Sequence, residues 1–583
     1  MKLPSLHQSL PVRRLPIPVS RRLVVGLLVG LVTVGSTFAN PDQSVEHEEK
    51  VRKTTAVALN YCRAALHRIR RSPQKPVFYE EQTRILNNLD LNQIEDPEVI
   101  ALYKSILDEI SQVEISERER TVISEQFRRN VHRQLGTSFF VIGAQMATGQ
   151  LGSAIQSGAN SWWDYRTQEH RRDADQWKVE KSEFSSLMSR SSTFLDSFWR
   201  LSQKNNIPDR WLIRDQDLDQ LARVLQETDG ERQLRMLKRM ERFMECYPPY
   251  WYYKARTQQQ LGHTEEALET YQRLTEIGSG HFRQDDMLAS STANMALLQE
   301  HMGHPDAART AARVLDYSTR NWESNLICAW VLGRHRQYAD AEDLILCNLD
   351  EGQEPQQSRI ALVSLYYHSG DATKLASLLD DERVVRDVPI PGLLLSAQLL
   401  GADRMPQVAR TYLASTLTAS IRQTSRGDAI VLAASPGWKL SDARPEVARG
   451  NRTFHSVGYR PVQQGVSAEF VAAGHGEAAD GGMVRVVLNY PSTPPIHVTL
   501  NRATPPAPAA AAPQQGFLGS RALRSGFPGL ASRPQAPAPR FEIAEIELPG
   551  LRLSFHEEVI NSDSRSDEAG SDVSTSGAPR VRS

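Results

Sequence analysis

Residues 251–271 read WYYKARTQQQLGHTEEALETY. Apolar and small residues recur at helical spacing on both sides of Leu261-Gly262, which predicts two helices joined by a tight turn. Ala255 in the first helix and Ala267 in the second stand twelve residues apart. Small side chains at both places are what two antiparallel helices need at their closest crossing. Moving outward, Ala267, Ala308, Ala341, Leu375 and Ala409 follow one another at intervals of 41, 33, 34 and 34 residues. Tyr271, Ala312, Ile345, Leu379 and Leu413 each stand four residues later, and Ala255, Ala296, Ala329, Val363 and Ala397 twelve residues earlier. The pattern predicts a stack of helix-turn-helix units.

The period is that of tetratricopeptide repeats. Trp251, Leu261-Gly262, Ala267-Leu268 and Tyr271 resemble that family's opening, inter-helix turn and core; Ala255 and Gln258 depart from its Gly and Tyr, and later units lack the Trp. Turn residues of the later units are Gly303, Arg336, Gly370 and Asp403, and the seven extra residues between the first two units are assigned to the loop Gly278–Arg283. The resemblance implies about five units over 246–420. It also implies a groove lined by the first helix of each pair. One step beyond the small positions lie Arg256, Leu297, Trp330, Ser364 and Gln398, with Tyr252, Gln260, Arg334, Ile360 and Tyr367 on the same face. Tyr252, Arg256, Gln260, Leu297, Trp330, Arg334, Ser364 and Tyr367 are the expected partner-binding residues. The family's best-known mode clamps a terminal carboxylate with Lys and Asn. With Tyr252 and Trp330 at clamp-like positions, an internal, partly apolar peptide segment is the expected ligand.

The rest of the chain sets the context. Lys and Arg number 68 against 69 Asp and Glu in 583 residues, so no long-range field gathers polyanions and no nucleic-acid role is expected. Arg13, Arg14, Arg21 and Arg22 precede an apolar run from Leu23 and a Thr37-Phe38-Ala39 end. This is the layout of a signal peptide over 1–39, and Ser20-Arg21-Arg22 resembles part of a twin-arginine signal. An exported, periplasmic or extracellular protein follows, the alternative being an anchor formed by an uncleaved segment. Residues 40–245 read as a helical N-terminal domain, clearest where Asp96-Pro97 caps a helix bearing Val99, Leu102, Tyr103, Ile106, Leu107 and Ile110. Within it, 139–159 alternates Gly143, Gly149, Gly152 and Gly158 with other small residues. The stretch suits a tightly packed helix, or weak membrane association. Trp162-Trp163-Asp164-Tyr165 and Tyr247–Tyr253 are read as the joint between this domain and the first repeat.

Beyond 420 the sequence predicts an irregular Gly/Pro-rich linker over 421–482 and short β-strands over 483–557 interrupted by a Pro/Ala-rich linker, 503–540. A disordered Ser/Asp-rich tail, 558–583, ends the chain. The expected fold is therefore mainly α: a helical domain, a tetratricopeptide-like α-solenoid and a small β-rich, partly disordered C-terminal region.

Catalytic and metal motifs are not found in the sequence. Asp215, Asp217 and Asp219 lack the Gly and closing Glu of a calcium loop and are read as helix-start acids. Gly474-His475-Gly476 lacks a third dinucleotide glycine, and His47-Glu48-Glu49 and His556-Glu557-Glu558 lack a second zinc-ligating His. Cys62, Cys246, Cys328 and Cys347 have neither disulfide nor zinc spacing. The expected function is that of a non-enzymatic, cofactor-free scaffold or adaptor binding a protein or peptide partner. The alternatives are an envelope enzyme with an unrecognised site in the helical domain, or a membrane-apposed structural protein.

Overall fold

The computed structural model describes residues 41–82, 96–111, 195–424, 427–438, 440, 443–462, 465–472, 482–490, 494–503 and 539–555. Two compact units, Met1–Lys50 and Val51–Ser583, divide the chain. Of the first, the described part is the opening turns of α1 (Pro41–Arg71), and the architecture lies in the second. The proposed signal peptide, the glycine-rich 139–159 stretch, Trp162–Tyr165, Gly474–Gly476, the Pro/Ala-rich 504–538 and the acidic tail lie outside the described residues.

Helices dominate up to residue 415. After α1 come α2 (Lys75–Gln82), α3 (Pro97–Ser111) and α4 (195–204), then α5 (Asp215–Val224) and α6 (Gly230–Met240). The region read as repeats holds α7 (Pro248–Gln260) with α8 (Thr264–Gly278), and α9 (Asp286–His301) with the broken pair α10 (Ala307–Ala311) and α11 (Val314–Tyr317). There follow α12 (Trp322–Arg334) with α13 (Tyr338–Asp350), α14 (Pro355–Ser369) with α15 (Ala372–Leu379), α16 (Glu382–Asp387), and α17 (Ile390–Leu400) with α18 (Gln407–Ser415). The first helices pack in series, α7 on α9, α9 on α12, α12 on α14 and α14 on α17.

The turns inside the first four pairs are built alike. Gly262, Gly303, Arg336 and Gly370 take left-handed φ of 81°, 67°, 60° and 75°. The next residue then donates its N–H back across the helix end: His263 to Gln258, His304 to Gln299, Gln337 to Leu332 and Asp371 to Tyr366, at 2.8–3.1 Å. This is the Schellman closure, which satisfies the last carbonyls of the helix and lets the chain reverse within two residues. In the fifth pair the left-handed residue is Gly401 rather than Asp403. The small positions Ala255, Ala296, Ala329, Val363 and Ala397 are buried, as are Ala267, Ala308, Ala341, Leu375 and Ala409. Ala312 is not: it is exposed, and Ala307, Ala311 and Val314 carry the burial. The broken second helix of that pair turns its inward face one residue early.

α1 to α4 bury a smaller core of their own around Leu59, Cys62, Phe78, Val99, Phe198 and Trp211, while α5 and α6 contribute to the core of the array. Asn60 stitches the two together from full burial. Its amide donates to the carbonyls of Trp211 (2.7 Å) and Cys246 (2.9 Å), and its oxygen accepts the N–H of Ile213 (3.0 Å). Asp215 and Asp219 also serve α1, accepting Arg63, Arg70 and Arg71. The long loop after α8 brings Phe282 against Tyr61, ring centroids 4.9 Å apart, with His281 buried beside it.

The C-terminal region corrects the sequence reading. The segment taken as an irregular linker contains strands, and the expected small, partly disordered β region is a closed antiparallel β-barrel. Its strands are β1 (Leu417–Thr424), β2 (Gly427–Ala434), β3 (Arg444–Arg449), β4 (Arg452–Val462), β5 (Gly465–Ala472), β6 (Val484–Asn489), β7 (Ile496–Arg502) and β8 (Arg540–Leu548), with β9 (Leu551–Ser554) appended to β8. The order β1-β2-β5-β4-β3-β6-β7-β8 closes because β8 returns to β1, Thr418 opposite Glu542 and Ser420 opposite Arg540. Apart from β8, which buries four, each barrel strand turns only one to three large apolar side chains inward, such as Phe454, Phe470, Val486 and Val498. In β8, Ala544 is skipped in the pairing with β7, so the inward set shifts from Phe541 and Ile543 to Ile546 and Leu548. The helical array also ends earlier than expected: α18 stops at Ser415, and residues 417–420 are already strand.

If the turns are set by backbone conformation, glycine should matter there through φ alone, since nothing lies within 4 Å of a Cβ added at Gly370. Gly370→Ala is expected to cost about 1 kcal/mol, and Arg336→Gly to raise stability by roughly 0.5–1 kcal/mol. Urea melts of the two variants should shift in opposite directions; shifts of the same sign would mean the turns are not held this way.

Candidate partner-binding face

Arg256, Leu297, Trp330, Ser364 and Gln398 occupy corresponding places on α7, α9, α12, α14 and α17, but the structure treats them differently. At the first two helices the face is filled from within. Tyr252 and Leu297 are fully buried. Burial holds the Tyr252 hydroxyl well above its usual range, with a bond to Ser290 pulling the other way. Arg256 is part-buried, and desolvation pushes its guanidinium down to about 10 against the opposing pull of Tyr271 and the Glu323 carboxylate, itself only 1% exposed. Beneath them runs a buried polar chain: Tyr271 Oη donates to Gln259 Oε1 at 2.9 Å and accepts from Asn294 Nδ2 at 3.2 Å. Gln260, at the end of α7, is exposed.

At the far end the barrel touches the face. Gln398 Nε2 donates 2.6 Å to the carbonyl of Pro549, in the turn between β8 and β9. Between these two closures lies an open stretch over α12 and α14. Trp330 is half-buried, with the Arg334 guanidinium 5.3 Å from its ring centroid. Arg334 is half exposed, and Glu300 on α9 holds it at 2.5 Å and His335 at 2.8 Å, one neighbour on each carboxylate oxygen. Ser364 is exposed; Tyr367 and Ile360 are half-buried, the Tyr367 ring edge-on to His368. α12 and α14 approach closely at Gly333, where a Cβ would lie 3.5 Å from Leu365.

The structure therefore leaves Trp330 and Arg334 on α12 and Ser364 and Tyr367 on α14 at least partly accessible, sets Gln260 exposed at the end of α7, and places Tyr252, Leu297 and most of Arg256 in the interior. Glu300 and Glu323 were missed from sequence. Glu300 had a usable signal, since it stands 34 residues before Arg334, one repeat length away. Glu323 had none, because its role depends on a guanidinium two first helices earlier.

The described residues offer other groups less suited to chemistry. The four cysteines are free thiols, and burial pushes Cys246 up to about 12, far from a reactive thiolate. A cavity of about 380 Å³ beside it is lined by Lys53, Glu245, Glu269, Arg273 and Glu276 without a convergent set. Among the described residues no group of His, Cys, Asp and Glu could hold a metal, and no helix is long and apolar enough to cross a membrane. No family model, curated protein or solved structure matches the chain.

Filled and open parts of the face should respond differently to loss of a carboxylate. Glu323→Ala strands a part-buried guanidinium and is expected to cost about 2–3 kcal/mol, whereas Glu300→Ala removes a half-exposed pair worth at most about 1 kcal/mol. Chemical denaturation of both variants checks this ordering; a larger loss for Glu300→Ala would invert the assignment.

Proposed function

We propose that this protein is an exported scaffold whose helix pairs form a tetratricopeptide-like array, and that it binds an extended peptide or protein segment over α12 and α14. The observation that carries the reading is the half-buried Trp330 with Arg334 stacked on its ring, at positions whose equivalents to one side are filled by the protein's own side chains and to the other are engaged by the β8–β9 turn. An aromatic plane beside a guanidinium is a common binding hot spot, supplying large contact area at low entropic cost. Glu300 supports the same reading. By fixing Arg334 and His335 it pre-organises the site and neutralises much of its charge, which favours a partly apolar segment over an acidic terminus. The barrel, on this view, closes one end of the groove and limits how far a bound segment can run.

A photo-crosslinking residue placed at Ser364, in cells exporting the full chain, is expected to give a discrete adduct. The adduct should vanish in the Trp330→Ala, Arg334→Ala double variant while its melting temperature stays within a few degrees of the parent. A Ser364 adduct that survives the double variant, or no adduct at all, would remove the groove from this face.

A further inference from the structure

β4 is longer than the barrel needs. Residues Arg452, Thr453 and Phe454 pair with β3, and from there to Val462 the strand is paired on one side only, by β5. Among the described residues no strand pairs with the other edge of 455–462, and all eight of these residues are exposed. Such an edge offers a row of backbone donors and acceptors to another strand. It also carries large apolar side chains: Val457, Tyr459 and Val462 are 63%, 44% and 48% exposed. Elsewhere among the described residues, exposed large apolar side chains, Phe243, Met302, Leu346 and Met483, stand singly in the sequence. Apolar exposure concentrated on one free edge marks an association site rather than ordinary surface.

The pattern of the strand says which partner fits. A bulge at Ser456/Gly458 and the N–H-less Pro461 are devices that blunt an edge against indiscriminate strand addition, so only a matching register is compatible. Two copies of one strand related by a two-fold axis pair antiparallel with one residue facing its own copy, because closely and widely spaced hydrogen-bonded pairs must alternate. Centred on Tyr459, that pairing sets Tyr459 against Tyr459, Gly458 against Arg460, Val457 against Pro461 and Ser456 against Val462. Aromatic faces aromatic, Val457 faces Pro461, the small Ser456 faces Val462, and the arginine lies over a glycine. No like charges face each other, and 455–462 carries no carboxylate that an oppositely charged foreign strand would need. The formal net charge of −1 adds no long-range repulsion between copies. We infer that the 455–462 edge of β4 is a self-association surface, joining two copies of this chain into a two-fold dimer through an antiparallel β4–β4 pair centred on Tyr459.

Light scattering on the full chain at micromolar concentration is expected to give twice the monomer mass. Tyr459→Lys, which sets two ammonium groups face to face across the axis, should give a monomer that keeps the parent's circular dichroism spectrum and melts cooperatively without the parent's concentration dependence. Tyr459→Cys tests the register without relying on that substitution. Under mild oxidation it should form an inter-chain disulfide in high yield, while Arg460→Cys, facing Gly458, should not. A monomeric parent chain, a dimer that persists in Tyr459→Lys, or equal cross-linking at 459 and 460 would each overturn the proposal, as would a different protein found seated on this edge.

Discussion

Trp438 sits fully buried where the last helix hands over to the first strand, and the arrangement around it constrains both halves of the second unit. Its indole N–H donates 2.9 Å to Thr416 Oγ1, which in turn donates 2.7 Å to the Leu413 carbonyl at the end of α18. Ser435 N–H donates to the Thr416 carbonyl at 2.8 Å, and the Tyr490 hydroxyl, just past β6, donates to the carbonyl of Trp438. Next to it, a Cβ on Gly437 would lie 3.1 Å from Ile390, the first residue of α17. The buried indole and the backbone of Ser435–Trp438 together hold the end of α18, the start of β1, the end of β2 and the residue after β6 beside α17. With a single residue between α18 and β1, the barrel has no freedom to swing away, and the buried apolar core runs without a break from α5 to β9. The β8–β9 turn can cap the first-helix face only because this junction holds the barrel in place.

How much of this could be read from the chain depends on how the burial is distributed. A helix of the array concentrates its apolar residues at a few positions of one face, and repetition then amplifies the pattern: Ala255, Ala296, Ala329, Val363 and Ala397 are visible because the same place is small each time. The barrel has no such amplification. β3 turns only Val447 inward and β4 only Phe454, while the protruding part of β4 is exposed on both faces and shows no alternation at all. With Gly, Pro and Ala between them, these strands resemble loop. Their stability comes from closing a ring of eight, in which partners such as Thr418 and Glu542 lie far apart in sequence, and is a property of no single segment. Only β6 and β7, with three inward residues each, and β8 with β9 across the Pro549-Gly550 turn, carried enough local signal to be read as strands.

The candidate site was legible to the same degree and for the same reason. Repeat spacing predicts which side chains share a face, and it places Trp330, Arg334 and Ser364 together. It does not say what covers that face. Tyr252 meets Tyr271, at a repeat position, but also Ser290 and Glu323, at places the repeat does not dictate, and Gln398 is engaged by a turn from the barrel. Accessibility is thus decided by the departures from the repeat, and what remains open is a short stretch in the middle of the array.

The central claim is that array and barrel form one mechanically continuous body joined at Trp438. Hydrogen exchange at peptide resolution, on the full chain with and without Trp438→Ala, tests it most directly. Truncating a buried tryptophan typically costs about 3–5 kcal/mol, and here protection should fall together in α17, α18, β1 and β2. A loss confined to the strands, with α17 and α18 exchanging as in the parent, would contradict the claim and separate the barrel from the array.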